Sequence, residues 1–241
     1  MNYFKKRGSH VGILISFNLF ILFLLSIFLL INPLLKERGE KQPVLNSLYP
    51  RLLENISSNM TLTLIKIANG YSPVGVNCTN LTGGDWNPAE NITVRNNLSQ
   101  RISSNFSSSS VLVPWTGNRF LKFYSSLENF ESMPLYSSGC ATPSEGTDFS
   151  IKSIKTEKYV FESNIFELKT MYDNSYEELK NYLNLPLEEE FGFSFINSEG
   201  ITIIETEKIP PSVSVYSKEN YVTYIDNQSN ILPGKIIIKV W

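Results

Sequence analysis

Residues 11–31 read VGILISFNLFILFLLSIFLLI, an unbroken run of 21 residues without a charged side chain. An α-helix rises about 1.5 Å per residue, so a helix of this length just crosses a hydrocarbon core of about 30 Å. The run is longer than the apolar part of a cleavable secretory signal, and Asn32 and Pro33 follow it in place of a small-residue cleavage site. The sequence therefore predicts a transmembrane helix at residues 11–31, retained as a signal anchor.

Basic residues flank this helix in equal number, so charge counting alone does not orient it in a membrane. Three lie on each side: Lys5, Lys6 and Arg7 before it, and Lys36, Arg38 and Lys41 after it. The preceding tail is short, and both cysteines and the glycan-acceptor motifs lie beyond the helix. We therefore expect a single-pass protein of the cell membrane, in which residues 1–10 form a basic cytoplasmic tail and the C-terminal domain is extracytoplasmic.

The segment after the helix, residues 32–50, contains Gly39, Pro43 and Pro50 among alternating charges. Glycine and proline both interrupt regular structure. The pattern therefore predicts a membrane-proximal stalk at residues 32–50 and a folded extracytoplasmic domain at residues 51–241.

The charge balance of the domain differs from that of the N-terminal region. Beyond residue 41 the chain carries 15 Lys or Arg against 21 Asp or Glu, which gives a net charge of −6. Because an acidic surface repels phosphate groups, we expect no nucleic-acid partner.

The two cysteines, Cys78 and Cys140, both fall in the domain. A disulfide between them would close a loop of about sixty residues and stabilise the fold by about 4 kcal/mol in an oxidising compartment. Two unpaired buried thiols are the alternative. The sequence leaves both open, although the turn-like surroundings of each cysteine favour the disulfide.

Acceptor motifs for N-linked glycans, N-x-S/T, are concentrated between residues 46 and 110. This stretch is rich in Asn, Ser and Thr, but chance would still give only about three motifs there, whereas seven occur. The excess predicts an exported glycoprotein. The eight candidate sites are Asn55, Asn59, Asn77, Asn80, Asn91, Asn97, Asn105 and, apart from the others, Asn227.

Alternating apolar and polar residues, interrupted by Gly, Pro and Asn, predict a series of short strands in the domain. These lie at residues 61–68, 119–124, 149–154, 191–196, 201–205, 212–216, 221–225 and 235–241. One helix is predicted at residues 176–183, with a capping box of Ser175 and Glu178 at its start and Pro186 after its end. The fold class expected is an N-terminal transmembrane helix followed by an α+β ectodomain dominated by antiparallel sheet.

Residues suited to catalysis are scarce in the domain. His10 is the only histidine of the chain and lies at the membrane edge, which removes catalytic triads and histidine metal sites from the domain. The acidic run Glu188, Glu189 and Glu190 follows a proline in a charged segment, which favours a solvated linker over paired catalytic carboxylates. We therefore expect no catalytic residue, no metal, no cofactor and no enzymatic activity.

Three residues within the apolar run are candidates for helix association. Gly12 and Ser16 form a small-xxx-small pair, and Asn18 places an amide inside the hydrocarbon region. These features suit self-association or association with other membrane-anchored surface subunits. Alternatively, Asn18 bonds to the backbone of its own helix or reaches towards the interface.

The N-terminal pattern FKKRGSHVGILI at residues 4–15, in which basic residues and a glycine lead directly into an apolar helix, resembles the class III signal peptides of archaeal type IV pilin-like proteins. In that family a prepilin peptidase cuts on the cytoplasmic side of the apolar segment, and the helix remains as membrane anchor and filament core. The resemblance implies cleavage after Gly8, which would expose Ser9.

The function expected is that of a non-enzymatic, single-span protein anchored in the lipid bilayer and displayed at the cell surface. It would act as a pilin-like component of a surface appendage or as a monomeric ectodomain. The alternative is a membrane-anchored surface binding module for carbohydrate or protein ligands. In that case Trp86 and Trp115, which lie beside turn residues, would supply the contact surface.

Overall fold

A computed structural model of the chain describes residues 10–82, 90–107, 110–131, 133–135, 139–206 and 214–241, with the side chains of residues 10, 11 and 31–40 excepted. Gly8, Ser9 and Trp86, which the sequence pattern singles out, lie outside the described residues. The described chain begins with a long helix, α1 (His10–Asn55), and continues into a sheet-rich domain whose strands are mostly antiparallel.

Helix α1 extends over 46 residues, which corresponds to about 70 Å at the usual rise per residue. Its first part, Gly12–Leu30, has a mean hydropathy of 2.8 and is not buried against the rest of the protein. At residues 32–50, where glycine and proline predict a separate stalk, the helix instead continues and enters the domain. The reason is that Leu45, Leu48 and Leu52 form an apolar stripe which the sheet buries.

Pro43 and Pro50 lie inside α1 without ending it. Each lacks a backbone N–H, and a proline in a helix interior costs about 3 kcal/mol or more. Both prolines are exposed and seven residues apart, which places them on the face of α1 opposite the buried leucines. Burial of each leucine contributes about 1.5–3 kcal/mol, which is of the same size and offsets the cost of the prolines.

The domain contains twelve strands and two further helices among the described residues. In chain order they are β1 (Ser57–Ile67), β2 (Cys78–Thr82), β3 (Asn91–Arg95), β4 (Arg101–Ile102), β5 (Asn105–Ser107), β6 (Ser110–Pro114), β7 (Phe120–Ser126), β8 (Phe149–Phe161), α2 (Glu162–Asn174), α3 (Tyr176–Tyr182), β9 (Phe191–Ile196), β10 (Thr202–Glu205), β11 (Tyr216–Ile225) and β12 (Ile231–Val240).

Nine of these strands form one sheet in the order β10-β9-β12-β11-β8-β1-β7-β3-β4, and the other three form a small sheet in the order β2-β6-β5. Neighbouring strands are antiparallel except β8 and β11. These two run parallel and are paired only at the last two residues of each strand. The large sheet therefore consists of two antiparallel halves joined by a short parallel contact.

Each half of the large sheet has its own apolar core. On the half that we call the helix side (α1, α2, α3 and β9–β12), the helices pack on the sheet around Tyr172, Phe191 and Phe193. On the half that we call the sandwich side (β1–β8), the small sheet packs on the large one around Val111 and Phe123. Alternation along the strands explains both cores, because every second residue faces inward.

Most of the predicted elements are confirmed. The predicted strands overlap β1, β7, β8, β9, β10, β11 and β12, and the predicted helix agrees with α3 to within one residue. Residues 212–216 lie partly outside the described residues, and Tyr216 begins β11. The sequence pattern does not predict α2 or the short strands β2–β6, which have too few residues for a clear alternation.

The capping box predicted at Ser175 is wrong. Ser175 is the single residue between α2 and α3, and its backbone N–H donates to the carbonyl oxygen of Met171 at 2.8 Å. Its side chain makes no capping hydrogen bond. The end of α2 therefore sets the backbone conformation of Ser175, and the usual geometry of an isolated helix start is not reached.

Candidate functional site

The first candidate site is the apolar part of α1, Gly12–Leu30. All but one of its large apolar side chains are exposed, by fractions that range from 38% at Ile21 to 71% at Leu30. Apolar surface exposed to water costs about 25 cal/mol per Å². At about 1.5 Å per residue the segment spans about 28 Å, so its length and composition are those of a membrane anchor or of a signal sequence.

Gly12 and Ser16 share one face of this segment. Their small side chains leave a shallow hollow that Ile13, Phe17 and Phe20 border. Asn18 follows Gly12 by six residues, which at about 100° per residue turns it away from that hollow. The structure therefore keeps Gly12 and Ser16 together as a candidate contact and separates Asn18 from them.

Polar contacts as well as buried leucines hold the domain end of α1. The guanidinium of Arg51 donates from Nη1 to the carbonyl oxygens of Leu183 at 2.7 Å and Asn184 at 2.9 Å, which follow α3. Lys41 forms an ion pair with Glu189, whose side chain is only 12% exposed. These contacts attach α1 at two separate places to the segment that joins α3 to β9.

The acidic run at residues 188–190 is not the solvated linker that the sequence predicts. Glu189 pairs with Lys41, and Oε1 of Glu190 lies 2.8 Å from Nζ of the buried Lys180. The same Nζ also donates to the carbonyl oxygen of Leu187 at 3.1 Å. Local charge patterning misses the first of these pairs because Lys41 and Glu189 are 148 residues apart in the sequence.

Cys78 and Cys140 are bonded to each other, with their Cα atoms 4.8 Å apart. Cys78 begins β2, and the next residue, Thr79, forms a β-bridge with Ala141, which follows Cys140. The backbone N–H of Asn80 donates to the carbonyl oxygen of Ala141 at 2.7 Å. The disulfide thus fastens a distant loop to the edge of the small sheet.

The glycan-acceptor candidates lie mainly on the sandwich side. Exposed among them are Asn59, Asn77, Asn91, Asn97, Asn105 and Asn227, whereas Asn55 and Asn80 are half-buried. Nδ2 of Asn55 donates to the carbonyl oxygen of Arg51 at 2.9 Å, and Oδ1 of Asn80 is buried without a hydrogen-bond partner among the described residues. In the folded protein these two side chains must therefore reorient before they can carry a glycan.

Asn227 is isolated in the sequence but adjoins the sandwich side in space. It lies in the turn between β11 and β12, and its carbonyl oxygen accepts a hydrogen bond from the backbone N–H of Glu131 at 2.7 Å. Nδ2 of Asn91 donates to Oδ1 of Asn129, in the same loop as Glu131, at 3.1 Å. Asn227 and Asn91 therefore contact the same loop of the sandwich side.

The buried guanidinium of Arg95, at the end of β3, joins the two sides of the domain. From Nη2 it donates to the carbonyl oxygen of Gln228 at 2.8 Å and to Oδ1 of Asn230 at 2.7 Å, both in the turn between β11 and β12. From Nη1 it donates to the carbonyl oxygen of Ser99 at 2.5 Å. Burial lowers the pKa of Arg95, which the nearby Tyr124 partly opposes.

Trp115 does not present an exposed indole. It is half-buried at the edge of the sandwich-side core, and its ring meets the ring of Tyr71 edge to face with centroids 5.4 Å apart. Its backbone N–H donates to the carbonyl oxygen of Asn77 at 2.8 Å. These contacts favour a packing role for Trp115 over the ligand contact considered from the sequence.

The second candidate site is a cleft between β8 and β11, which the sequence pattern does not predict. The two strands diverge from their short parallel contact and leave a cavity of about 710 Å³. Three tyrosines line it: Tyr49 from α1, Tyr159 from β8 and Tyr221 from β11. The sequence does hold a weak signal, because alternation places Tyr221 on the outward, polar face of β11 together with Thr223.

A hydrogen-bonded carboxylate stands at the rim of this cleft. Oε2 of Glu157 accepts a hydrogen bond from the hydroxyl of Tyr159 at 2.7 Å, and its Oε1 lies 2.7 Å from Nζ of Lys155. Lys155 and, to a smaller extent, Tyr159 lower the pKa of Glu157, while the bond to Glu157 raises the pKa of Tyr159 to about 12. At neutral pH the rim therefore offers an ionised acceptor beside a protonated phenol.

Within the described ranges, no three His, Cys, Asp or Glu side chains come close enough together to hold a metal ion. No family model, curated protein or solved structure matches the chain. Function is therefore inferred from two structural features, the apolar segment of α1 and the cleft between β8 and β11.

Proposed function

We propose that the chain is a non-enzymatic, single-span membrane protein that displays its sheet-rich domain on the outer side of the cell membrane. The observation that carries this proposal is the continuity of α1. The same helix is apolar and exposed over Gly12–Leu30 and is buried in the domain at Leu45, Leu48 and Leu52. Anchor and domain are thus parts of one secondary-structure element.

A lipid bilayer removes the unfavourable exposure of the apolar segment. Each Leu, Ile or Phe near the centre of a membrane helix favours insertion by about 0.3–0.6 kcal/mol. The segment carries about fifteen large apolar residues, so the total is several kcal/mol. That total supports stable anchoring.

Two features support an extracytoplasmic position for the domain. The disulfide between Cys78 and Cys140 persists in an oxidising compartment and is rare in the cytosol. Most of the glycan-acceptor candidates have exposed side chains.

Within this class, the shape of α1 supports a pilin-like role. One part of the helix projects as an apolar rod, and the other packs on an antiparallel sheet. The apolar rods of several copies can pack together if they leave the bilayer, while their domains face outward. A surface protein that remains monomeric would instead keep α1 in the bilayer.

Topology and anchoring are tested together with full-length variants. A reporter active only outside the cytoplasm, fused after Trp241, should be active, and the chain should remain in membranes washed with alkaline carbonate. Leu22→Arg places a charge near the bilayer centre at a cost of about 3 kcal/mol and should release part of the chain. Leu22→Ala is the matched control and should stay anchored. Activity of a reporter specific for the cytoplasm would contradict the proposed topology.

The pilin-like role is tested by the mature N-terminus. Mass spectrometry of the native protein should find a peptide that begins at Ser9, and Gly8→Leu should retain the longer form. Cross-linking through the apolar segment should then capture multimers of the processed chain. An intact N-terminus in cells with an active prepilin peptidase would contradict the pilin-like role and leave an ordinary anchored surface protein.

A second candidate function is ligand binding by the displayed domain. The cleft between β8 and β11 favours it, because three tyrosines from three different elements line it. Of the two tryptophans considered from the sequence, Trp115 is half-buried and Trp86 lies outside the described residues. Both functions are compatible with the same anchored topology.

A further inference from the structure

The cleft is a gap in the large sheet with an unpaired strand edge on either side. Among the described residues, β11 is paired with β12 alone from residue 216 to residue 223, and β8 is paired with β1 alone from residue 150 to residue 159. Helix α1 passes beside the gap and supplies Tyr49 and Leu53 to its lining. Four regular elements, α1, β1, β8 and β11, therefore build the cleft, and its shape does not depend on loops.

The tyrosines of the cleft lie on both faces of the sheet, on either side of the gap. Tyr49 packs against the helix-side core, whereas Tyr159 packs against the small cluster around Phe161 on the opposite face of the sheet. Tyr221 shares this second face by alternation from Ile225, and it is 84% exposed in the middle of a strand. Rings distributed in this way suit an elongated ligand with several stacking units better than a compact one.

Polar groups border the same cleft. Ser57 and Thr223 offer hydroxyls, Glu54 and Glu157 offer carboxylates, and Lys158 offers an ammonium group. Charges of both signs are present, with a formal total of −1, so a strongly charged ligand gains little. Tyrosine adds a large, rigid and amphipathic contact surface at low cost in conformational entropy. A molecule with apolar C–H faces and many hydroxyls matches both the rings and this polar rim.

We propose that the cleft between β8 and β11 binds a neutral oligosaccharide, with sugar rings against Tyr49, Tyr159 and Tyr221 and hydroxyls bonded to the polar rim. A cavity of about 710 Å³ lies in the usual range for ligand sites, about 300–1,000 Å³, and accommodates a few sugar units. A saccharide of this chemistry has two sources: a glycan attached to this chain, or a separate saccharide from outside it.

For the first source, a glycan attached to this chain, the acceptor in the right position is Asn59. Asn59 follows Ser57 by two residues in β1 and lies directly opposite Lys158 of β8, so the three side chains share one face of the sheet. Ser57 and Lys158 line the cleft, and Asn59 is exposed beside them. A glycan on Asn59 would therefore start at the rim. Only this source rests on the proposed function, since it requires glycosylation of the displayed domain.

The cleft is tested first without glycans. Full-length chain from a host that lacks N-glycosylation is purified in a polyoxyethylene detergent, which carries no sugar, and titrated calorimetrically with maltotetraose, cellotetraose and chitotetraose. At least one should bind, and Tyr221→Ala should weaken that binding by about tenfold or more. Tyr182→Ala, at an exposed tyrosine of α3 outside the cleft, should bind like the wild type. Thermal melting checks that both variants fold.

Two outcomes of this titration overturn the proposal. One is the absence of binding to all three tetrasaccharides at concentrations up to about 10 mM, which is weaker than a specific site requires. The other is equal binding by the wild type and folded Tyr221→Ala, which would place the saccharide elsewhere on the protein.

The source of the saccharide is tested with glycosylated chain from the native host. If the glycan of Asn59 fills the cleft, the wild type should not bind the added tetrasaccharide, whereas Asn59→Gln should bind it. Asn97→Gln, which removes an exposed acceptor outside the cleft, is the control and should behave like the wild type. Binding by all three chains assigns the cleft to an external saccharide. Mass spectrometry of Asn59 shows separately whether glycosylation itself has failed, and that result leaves the first titration valid.

Discussion

The helix side and the sandwich side of the domain are stabilised by different means. On the helix side, Tyr172 is fully buried, meets Phe191 and Phe193 edge to face, and donates a hydrogen bond to the carbonyl oxygen of Phe191 at 2.8 Å. On the sandwich side, β4 and β5 have only two and three residues, and a disulfide fastens the small sheet. The first side depends on packing of large side chains, and the second supplements a smaller core with a covalent bond.

This difference shows how one chain can combine a surface rich in candidate glycan acceptors with a well-packed core. Six of the eight acceptor candidates lie on strands and turns of the sandwich side. Polar, exposed positions leave fewer residues for a core, and small cores commonly need a covalent staple. A substitution on one side should therefore destabilise mainly that side. The following substitutions test this expectation.

The largest effect is expected for Tyr172→Ala. Replacing a buried aromatic ring with alanine costs about 3–5 kcal/mol, and loss of the hydrogen bond to Phe191 adds about 1 kcal/mol. Chemical unfolding measures the change, with Tyr182→Ala as the control at an exposed tyrosine, which should alter stability by less than about 0.5 kcal/mol. Equal effects of the two variants would show that the helix-side core is not a main source of stability.

Removing the disulfide should have the next largest effect. Because the cysteines have a sequence separation of 62, Cys78→Ser combined with Cys140→Ser should destabilise the domain by about 4 kcal/mol in the chain-entropy description. Hydrogen exchange should increase on the sandwich side and change little in α2, α3 and β9. Reduced wild type should match the double variant. Faster exchange spread evenly over both sides would contradict the comparison.

A smaller effect is expected for Arg95→Met, at the contact between the helix side and the sandwich side. The change removes hydrogen bonds to Gln228, Asn230 and Ser99 and leaves their oxygens with fewer donors, which should cost about 2–3 kcal/mol. Lys152→Met, at an exposed position of β8, is the control for loss of a positive charge. Hydrogen exchange in the turn between β11 and β12 should rise in Arg95→Met alone. Unchanged exchange there would show that the two sides are joined by other contacts.

The smallest effect concerns alkaline pH. Burial raises the pKa of Tyr172 and Tyr176, so their stabilising contribution is complete below the unfolded value near 10 and is lost as pH rises above it. Unfolding measured between pH 7 and pH 11 should show a decline that begins near pH 10. Tyr176→Phe should make the decline shallower, because phenylalanine does not ionise. The same decline in wild type and Tyr176→Phe would assign the loss to other groups.

Regular local patterns in the sequence account for the features that could be predicted. The uncharged run of residues 11–31 predicts an apolar helix, and alternation predicts strands such as β1 and β9. The pattern misses α2, whose sequence ESNIFELKTMYDN mixes helix-favouring and helix-disfavouring residues, because Ile165 and Leu168 owe their burial to the neighbouring sheet. Tertiary packing determines the secondary structure of such segments.

The cleft is harder to predict because no segment contains it. Tyr49, Tyr159 and Tyr221 come from three distant parts of the sequence, and only the divergence of β8 and β11 brings them to one gap. The extension of α1 through Pro43 is missed for a related reason, since the sheet that buries Leu48 is formed much later in the chain.

The packing of α1 on β12 also has a consequence for biosynthesis. Leu48 emerges from the ribosome roughly 190 residues before the middle of β12, with which it shares a core, and contacts so distant in sequence form slowly. Until β12 follows, the apolar stripe of α1 has no surface to cover it. The helix side therefore cannot close before β12 has been synthesised, and until then α1 depends on its own hydrogen bonds to remain helical.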